Sequence, residues 1–244
     1  MRQLPLGVRL RPASTLASFA AGENAAVLAA IERRALGPGG APLWLWGSTG
    51  SGRTHLLQAG CARAAAAGRS SGYLPLAEQW IAADQLAGLD ALDLLCLDDL
   101  DGVAGQAAWE SGLFRLLVAA AERGSALIVA AGSAPAAVRF ALPDLASRLR
   151  ASEVWQLKSL PAPAQGAALT ERAKLLGLEL PDETREYLQR RLPREFATLC
   201  SVLDTLDDAA LAAQRRLTVP FVRELLGRAR AAAAAAVPPG GAAS

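Results

Sequence analysis

Histidine is nearly missing from this sequence, with His55 the only one in 244 residues. A metal centre built on several imidazoles and a Ser-His-Asp triad therefore have almost nothing to draw on. Cysteine is scarce too. Cys61, Cys96 and Cys200 are far apart, odd in number and set among apolar residues, which reads as buried thiols in a reducing compartment and not as a disulfide framework. Blocks of one charge are also lacking. The chain has 25 Lys and Arg against 23 Asp and Glu, the positive residues are almost all Arg, and they are scattered. The broad basic footprint of a duplex-DNA binder is not there. No uncharged apolar run approaches the ~20 residues of a membrane span, and MRQLPLGVRLRP at the N-terminus holds no apolar stretch of signal-peptide length. The expectation is a cytoplasmic, soluble protein with no membrane partner. Aromatic residues make up 5% while apolar residues reach 52%, because Ala fills much of the chain. That favours compact, helix-rich structure and blurs every periodicity.

What is present alternates. Short apolar runs bounded by turn formers recur at 43–46, 72–76, 94–97, 127–131 and 154–157, and helical stretches lie between them at 24–36, 53–67 and 109–123, with a shorter one around 136–139. Continuous apolar strands separated by helices predict a five-stranded parallel sheet covered on both faces, a doubly wound α/β domain. After residue 157 the texture changes. SLPAPAQ is a Pro-punctuated link, and only helical patterns follow to about residue 228, with Pro161, Pro181, Pro193 and Pro220 near helix starts and Asp182 and Thr218 as caps. The sequence divides into an N-terminal peptide (1–10), an α/β domain (11–159), a small helical domain (160–228) and a low-complexity tail (229–244) that reads as disordered.

The chemistry-bearing stretch is GSTGSGRT, residues 47–54. With 22 glycines in the chain, the spacing of Gly47, Gly50 and Gly52 alone proves little, and an ordinary strand-to-helix turn is the plain alternative. Context favours more. The LWLW strand before it and the THLLQAGCARAAAA helix after it put free backbone N–H groups and a positive helix end around one point, which suits a phosphate. Thr54 lies where a hydroxyl reaches a magnesium ion. A second signal follows in LLCLDDLD, 94–101, an apolar strand that turns acidic at its C-terminal end, where ligands of parallel sheets collect. Asp98 is placed to hold the magnesium shell and Asp99 to orient or deprotonate water, while Asp101 fits a helix or turn cap.

These motifs, together with TLASFAAGEN (15–24), LPDLASRL (142–149) and RLPREFATLCSVLDTLDDAALAAQRRLTVPFVREL (191–225), resemble the AAA+ ATPase domain of the DnaA family of bacterial replication initiators. They resemble more closely its short regulatory Hda group. The resemblance covers the chain to about residue 228. It implies that Phe19, Gly22 and Asn24 lie near an adenine, and that Gly47, Gly50, Gly52, Arg53 and Thr54 surround phosphates of ADP or ATP with magnesium. It also implies that Asp98 and Asp99 are the acidic pair, Arg194 is a lid arginine facing the nucleotide, and Arg148 is an arginine finger acting in trans. Arg at position 53, where Lys is usual in phosphate loops, is expected within this group.

Two departures weaken catalysis more than binding. In IVAAGSAP (128–135), Gly132 or Ser133 stands where the family usually places a polar side chain to position water. Arg53 is a planar fork in place of a mobile ammonium. The expectation is a site that holds nucleotide, ADP before ATP, with weak or no turnover of its own.

RQLPLG, residues 2–7, looks like the peptide by which Hda relatives attach to the DNA polymerase sliding clamp, with Gln3 at the pocket rim and Leu4 and Leu6 in an apolar groove. Gly7 stands where an apolar anchor is common. The leading expectation is thus a regulator that, with the DNA-loaded clamp (the β subunit), stimulates hydrolysis of DnaA-bound ATP, touching DNA only through the clamp. Monomer and homodimer both stay open. The alternatives are an initiator or helicase-loader-like ATPase acting directly on DNA, disfavoured by an Ala, Pro and Gly tail where initiators carry a helix-turn-helix domain, and an independent motor, disfavoured by the apolar end of 128–135.

Overall fold

The computed structural model describes residues 14–192 and 217–235, and between them 196, 198–200, 202, 203, 205 and 206; of residues 228–235 it describes only the backbone. Five strands, β1 (Leu43–Trp46), β2 (Ser71–Pro75), β3 (Leu94–Asp98), β4 (Ala126–Ala131) and β5 (Glu153–Gln156), form one sheet in the order β2-β3-β4-β1-β5. Every neighbouring pair is parallel. The expected doubly wound α/β domain is what the chain forms.

The continuous apolar runs are explained by burial on both sides. Alternate residues of a strand face opposite ways, so Trp44, Leu95, Leu97, Leu127 and Val129 pack with Leu113, Leu116 and Leu117 of α3 (Ala107–Arg123) and Leu145 and Leu149 of α4 (Pro143–Arg150). Their neighbours Leu43, Leu45, Cys96, Ile128 and Ala130 pack with Val27 and Ile31 of α1 (Ala25–Leu36) and Leu56 and Leu57 of α2 (Arg53–Ala66). The outermost strand β5 alternates half-buried and exposed residues. Its Glu153 draws Arg33 and Arg34 onto the edge at 2.6 and 2.9 Å, charges that discourage further strand pairing.

One expected element is absent. Residues 136–139 are not helical: a turn over 135–137, closed by the Ala137 N–H donating to Ala134 O at 2.9 Å, runs into irregular chain, and the helix lies further on, as α4. The cause is the Glu110 carboxylate of α3, 1% exposed, which accepts the N–H groups of Gly105, Ala141 and Leu142 at 2.6, 2.9 and 2.6 Å. Held this way, Leu142 is extended, and Pro143 enters as the first helical residue with its preset φ.

The chain divides into two compact units at Leu160/Pro161. The second contains α5 (Ala162–Leu175), α6 (Asp182–Arg191) and α7 (Val219–Ala235), with Leu169, Ala173, Leu188, Leu199, Leu203, Leu206, Leu217, Phe221 and Val222 buried together. Pro161 and Pro181 occupy the cap positions of α5 and α6. Asp182, expected as a cap, is instead the first residue of α6, where its charge favours the positive helix end. Gln3, Leu4, Leu6, Pro193 and Arg194 lie outside the described residues. No helix among the described residues is long and apolar enough to cross a membrane.

Candidate nucleotide-binding site

The loop from β1 to α2 is shaped by glycines that no other residue replaces. Gly50 (φ +75°) and Gly52 (φ +102°) are left-handed, a region that costs L side chains energy. A Cβ on Gly52 would also stand 2.6 Å from the Phe19 ring, and one on Gly47 would stand 2.6 Å from Leu157 O. Phe19 therefore lies directly against the loop. Gly52 caps α2 without a side-chain bond, leaving the first N–H groups of this 14-residue helix for an anion. Two buried polar atoms here have no protein partner, Ser51 Oγ and Arg53 Nη1. Orphaned donors at the mouth of a helix fit a phosphate group.

The acidic pair sits beside this loop. Asp98, at the end of β3 and 1% exposed, accepts Thr54 Oγ1 at 2.6 Å and Tyr73 Oη at 2.9 Å on one oxygen. Its other oxygen accepts the Asp99 N–H at 3.0 Å. Thr54 and Asp98 are thus brought together as the sequence requires, and with its proton directed to Asp98 the Thr54 oxygen keeps its lone pairs for a hard cation. Among the described residues no group of three or more His, Cys, Asp or Glu could hold a metal ion; a magnesium ion accompanying a nucleotide would have Thr54 and Asp98 as its protein side. Asp99 is left-handed, at φ +52°, and half exposed, with Arg53 Nη2 3.8 Å away. Burial and the Asp98 charge push the Asp99 carboxyl above its usual range against the pull of Arg53. Burial and then Asp98 push the Tyr73 phenol far upward, so Tyr73 stays a donor.

At the end of β4, Gly132 offers only its N–H, which donates to Asp101 Oδ2 at 2.9 Å. A Cβ there would lie 3.0 Å from that oxygen and 3.9 Å from Arg53 Nη1. The Arg53 fork therefore reaches close to where a polar side chain was expected and not found. Asp101, read as a cap, ties this corner together instead.

Two residues of the expected adenine group pack against the chain that follows β5. Asn24, buried, forms reciprocal bonds with the Lys158 main chain, both at 2.9 Å. Gly22 is left-handed, and a Cβ there would touch Leu160 at 3.0 Å. The lone His55, tilted against Phe19 at 5.6 Å, bonds the Thr15 carbonyl oxygen at 3.0 Å and so fastens the incoming segment to α2.

Arg148 lies elsewhere. It is exposed in the last turn of α4, its guanidinium 5.4 Å from the centre of the Phe114 ring, an attractive cation–π placement. Among the described residues no carboxylate pairs with it.

Two functional side chains escape a reading of the sequence. Tyr73 sits in an apolar run that reads as plain strand; the signal was a hydroxyl on β2, the strand next to the acidic one. Glu110 reads as a solvated helix charge, and nothing local marks it.

Residues 163–226 match the family model described as Hda, lid domain. Among solved structures, the chain is similar to domain III of the Thermotoga maritima replication initiation protein DnaA, with TM-score 0.73 and 18% identity over 91% of this chain and 98% of that one. It is similar to AMPPCP-bound DnaA from Aquifex aeolicus with TM-score 0.64 and 24% identity, over 81% and 67% of the two chains. A RuvB variant from Thermotoga maritima gives TM-score 0.61 and 17% identity over 88% and 71%. At these identities the superpositions establish the fold, that of an AAA+ α/β domain.

Proposed function

We propose that this chain, whose residues 163–226 match the Hda lid model and whose fold is that of DnaA domain III, is a DnaA-related AAA+ protein that regulates the initiation of chromosomal replication by acting on DnaA. Its own site holds ADP with magnesium. The ion, when bound, neutralises phosphate charge. The chain's residues do the rest: the N–H groups at the start of α2 and the Arg53 fork bind phosphate oxygens, Thr54 and Asp98 hold the cation side, and Phe19 backs the loop. The finding of AMPPCP in an Aquifex aeolicus DnaA of the same fold supports a nucleotide here.

Turnover in this site is slow on the proposed reading. Gly132 presents no side chain to orient water, and its N–H is already taken by Asp101. Asp99, the candidate base, is drawn toward Arg53. Such a site binds without accelerating.

The observation that carries the proposal is Arg148, a charged side chain on an exposed helix face with an aromatic ring beneath it. Placed against the γ-phosphate of ATP bound to DnaA, its guanidinium stabilises the charge that develops in phosphoryl transfer. Gln3, Leu4 and Leu6 form the peptide that docks on the sliding clamp and so confines this action to DNA carrying a loaded clamp. The test is DnaA-ATP hydrolysis in the presence of DNA-loaded clamp. Arg148→Ala should abolish the stimulation while ADP binding persists, and equal stimulation by both proteins would overturn the reading. Changing Gln3 and Leu4 to Ala should abolish clamp binding.

A further inference from the structure

The Asp98 carboxylate accepts three donors, two of them on one oxygen. Thr54 and the Asp99 N–H fix both of its oxygens. The Tyr73 hydroxyl then adds a second bond to the oxygen that Thr54 already uses, at 2.9 Å. Tyr73 is 7% exposed and sits on β2, whose in-register pairing with β3 sets Tyr73 opposite Cys96 and Pro75 opposite Asp98. Its placement is therefore fixed by the sheet and not by a loop.

Orientation of Asp98 does not depend on this bond, because the other two donors secure it. What the bond changes is charge. A phenol donating to a carboxylate draws negative charge away from the oxygen and occupies a lone pair that a cation or its water would otherwise use. At the start of α2 stands Arg53, a permanent cation whose buried Nη1 has no protein partner.

We infer that Tyr73, acting through its bond to Asp98, damps the attraction of that carboxylate for a divalent cation, so that this site retains a nucleoside diphosphate through Arg53 and the α2 N-terminus with little dependence on magnesium. The inference rests on the proposed nucleotide site. Bonds to charged groups of this kind correspond to about a tenfold effect on an equilibrium.

The experiment is titration of the full chain with ADP, once with magnesium and once with EDTA. For the unaltered protein the two affinities should differ by less than about tenfold. In Tyr73→Phe, which keeps the ring and its packing, magnesium should improve ADP affinity by about tenfold more than it does in the unaltered protein, because the freed lone pair strengthens the cation's hold. An unaltered protein that needs magnesium by a hundredfold or more would overturn the inference without any variant. So would a Tyr73→Phe protein whose magnesium dependence is unchanged or weaker. Binding in neither condition would instead remove the nucleotide site itself, a separate failure.

Discussion

The phosphate loop and the outer face of α4 treat their charged groups in opposite ways. Around the loop, Asp98 is buried and bonded by three donors, and Gly52 is pressed against Phe19. On α4, Arg148 is exposed and rests on a single ring. Groups tied from every side are suited to keep a ligand, since nothing must be reorganised to hold it. A guanidinium supported from beneath and open above is suited to meet charge that arrives on another molecule. On the proposed reading the first region retains and the second acts, and the two are separable by mutation.

The largest effect should follow from Arg148→Ala, which is expected to lower stimulated hydrolysis of DnaA-bound ATP by about 10³-fold while leaving ADP affinity and the melting temperature of this chain where they were. A parallel loss of ADP affinity would erase the distinction between the two regions. Next in size is Gly52→Ala. The left-handed backbone and the 2.6 Å approach to Phe19 should together cost about 2–3 kcal/mol and displace the loop. Calorimetric ADP binding should fall steeply, and thermal unfolding should occur at lower temperature.

How much of this the sequence discloses depends on the range of the interaction. The five strands and the glycine loop are legible because each is set by neighbours in the chain: an apolar run, a turn former, a helix start. Asp98 is legible because strand ends in parallel sheets face one side. Tyr73 is not, because its bond to Asp98 exists only through the register of β2 on β3. The displaced α4 has the same origin. Ala136 to Arg139 suit a helix locally, but Glu110, some thirty residues earlier, takes the N–H groups of Ala141 and Leu142, and Pro143 then sets the start. Asn24 illustrates the converse, since a residue assigned by resemblance to the nucleotide has both amide atoms engaged by the Lys158 main chain.

Glu110 supports the second region from within, so altering it should blur the contrast by a moderate amount. Glu110→Gln keeps the shape but loses the charge, and one carboxylate oxygen becomes a donor facing N–H groups. A loss of about 1–3 kcal/mol is expected at neutral pH, read by urea unfolding. The pH dependence follows from the same bonds. Burial pushes the Glu110 carboxyl up, but the three backbone N–H groups outweigh it and hold it below its ordinary value of 4.5. A depressed folded value means the stabilisation is complete above the unfolded value and disappears as pH falls through the folded one. The unaltered protein should therefore lose its advantage over Glu110→Gln in acid, as the pH falls below the ordinary value and through the depressed folded one; a constant gap across pH would show that the charge is not what holds α4.

The smallest effect tests whether charge in general matters or only charge that is buried or aimed. Arg63 and Glu32 join α2 to α1 at 3.0 Å, each more than a third exposed. Water screens such a pair, and ordering two long side chains offsets most of what attraction remains. Arg63→Ala should change stability by about 0.5 kcal/mol or less and leave ADP binding and DnaA-ATP hydrolysis untouched, although the residue lies on the helix that begins at the phosphate loop. A loss comparable to that of Glu110→Gln would mean that the position of α2 depends on its surface ion pair, and that the retaining region is held from outside as well as from the sheet.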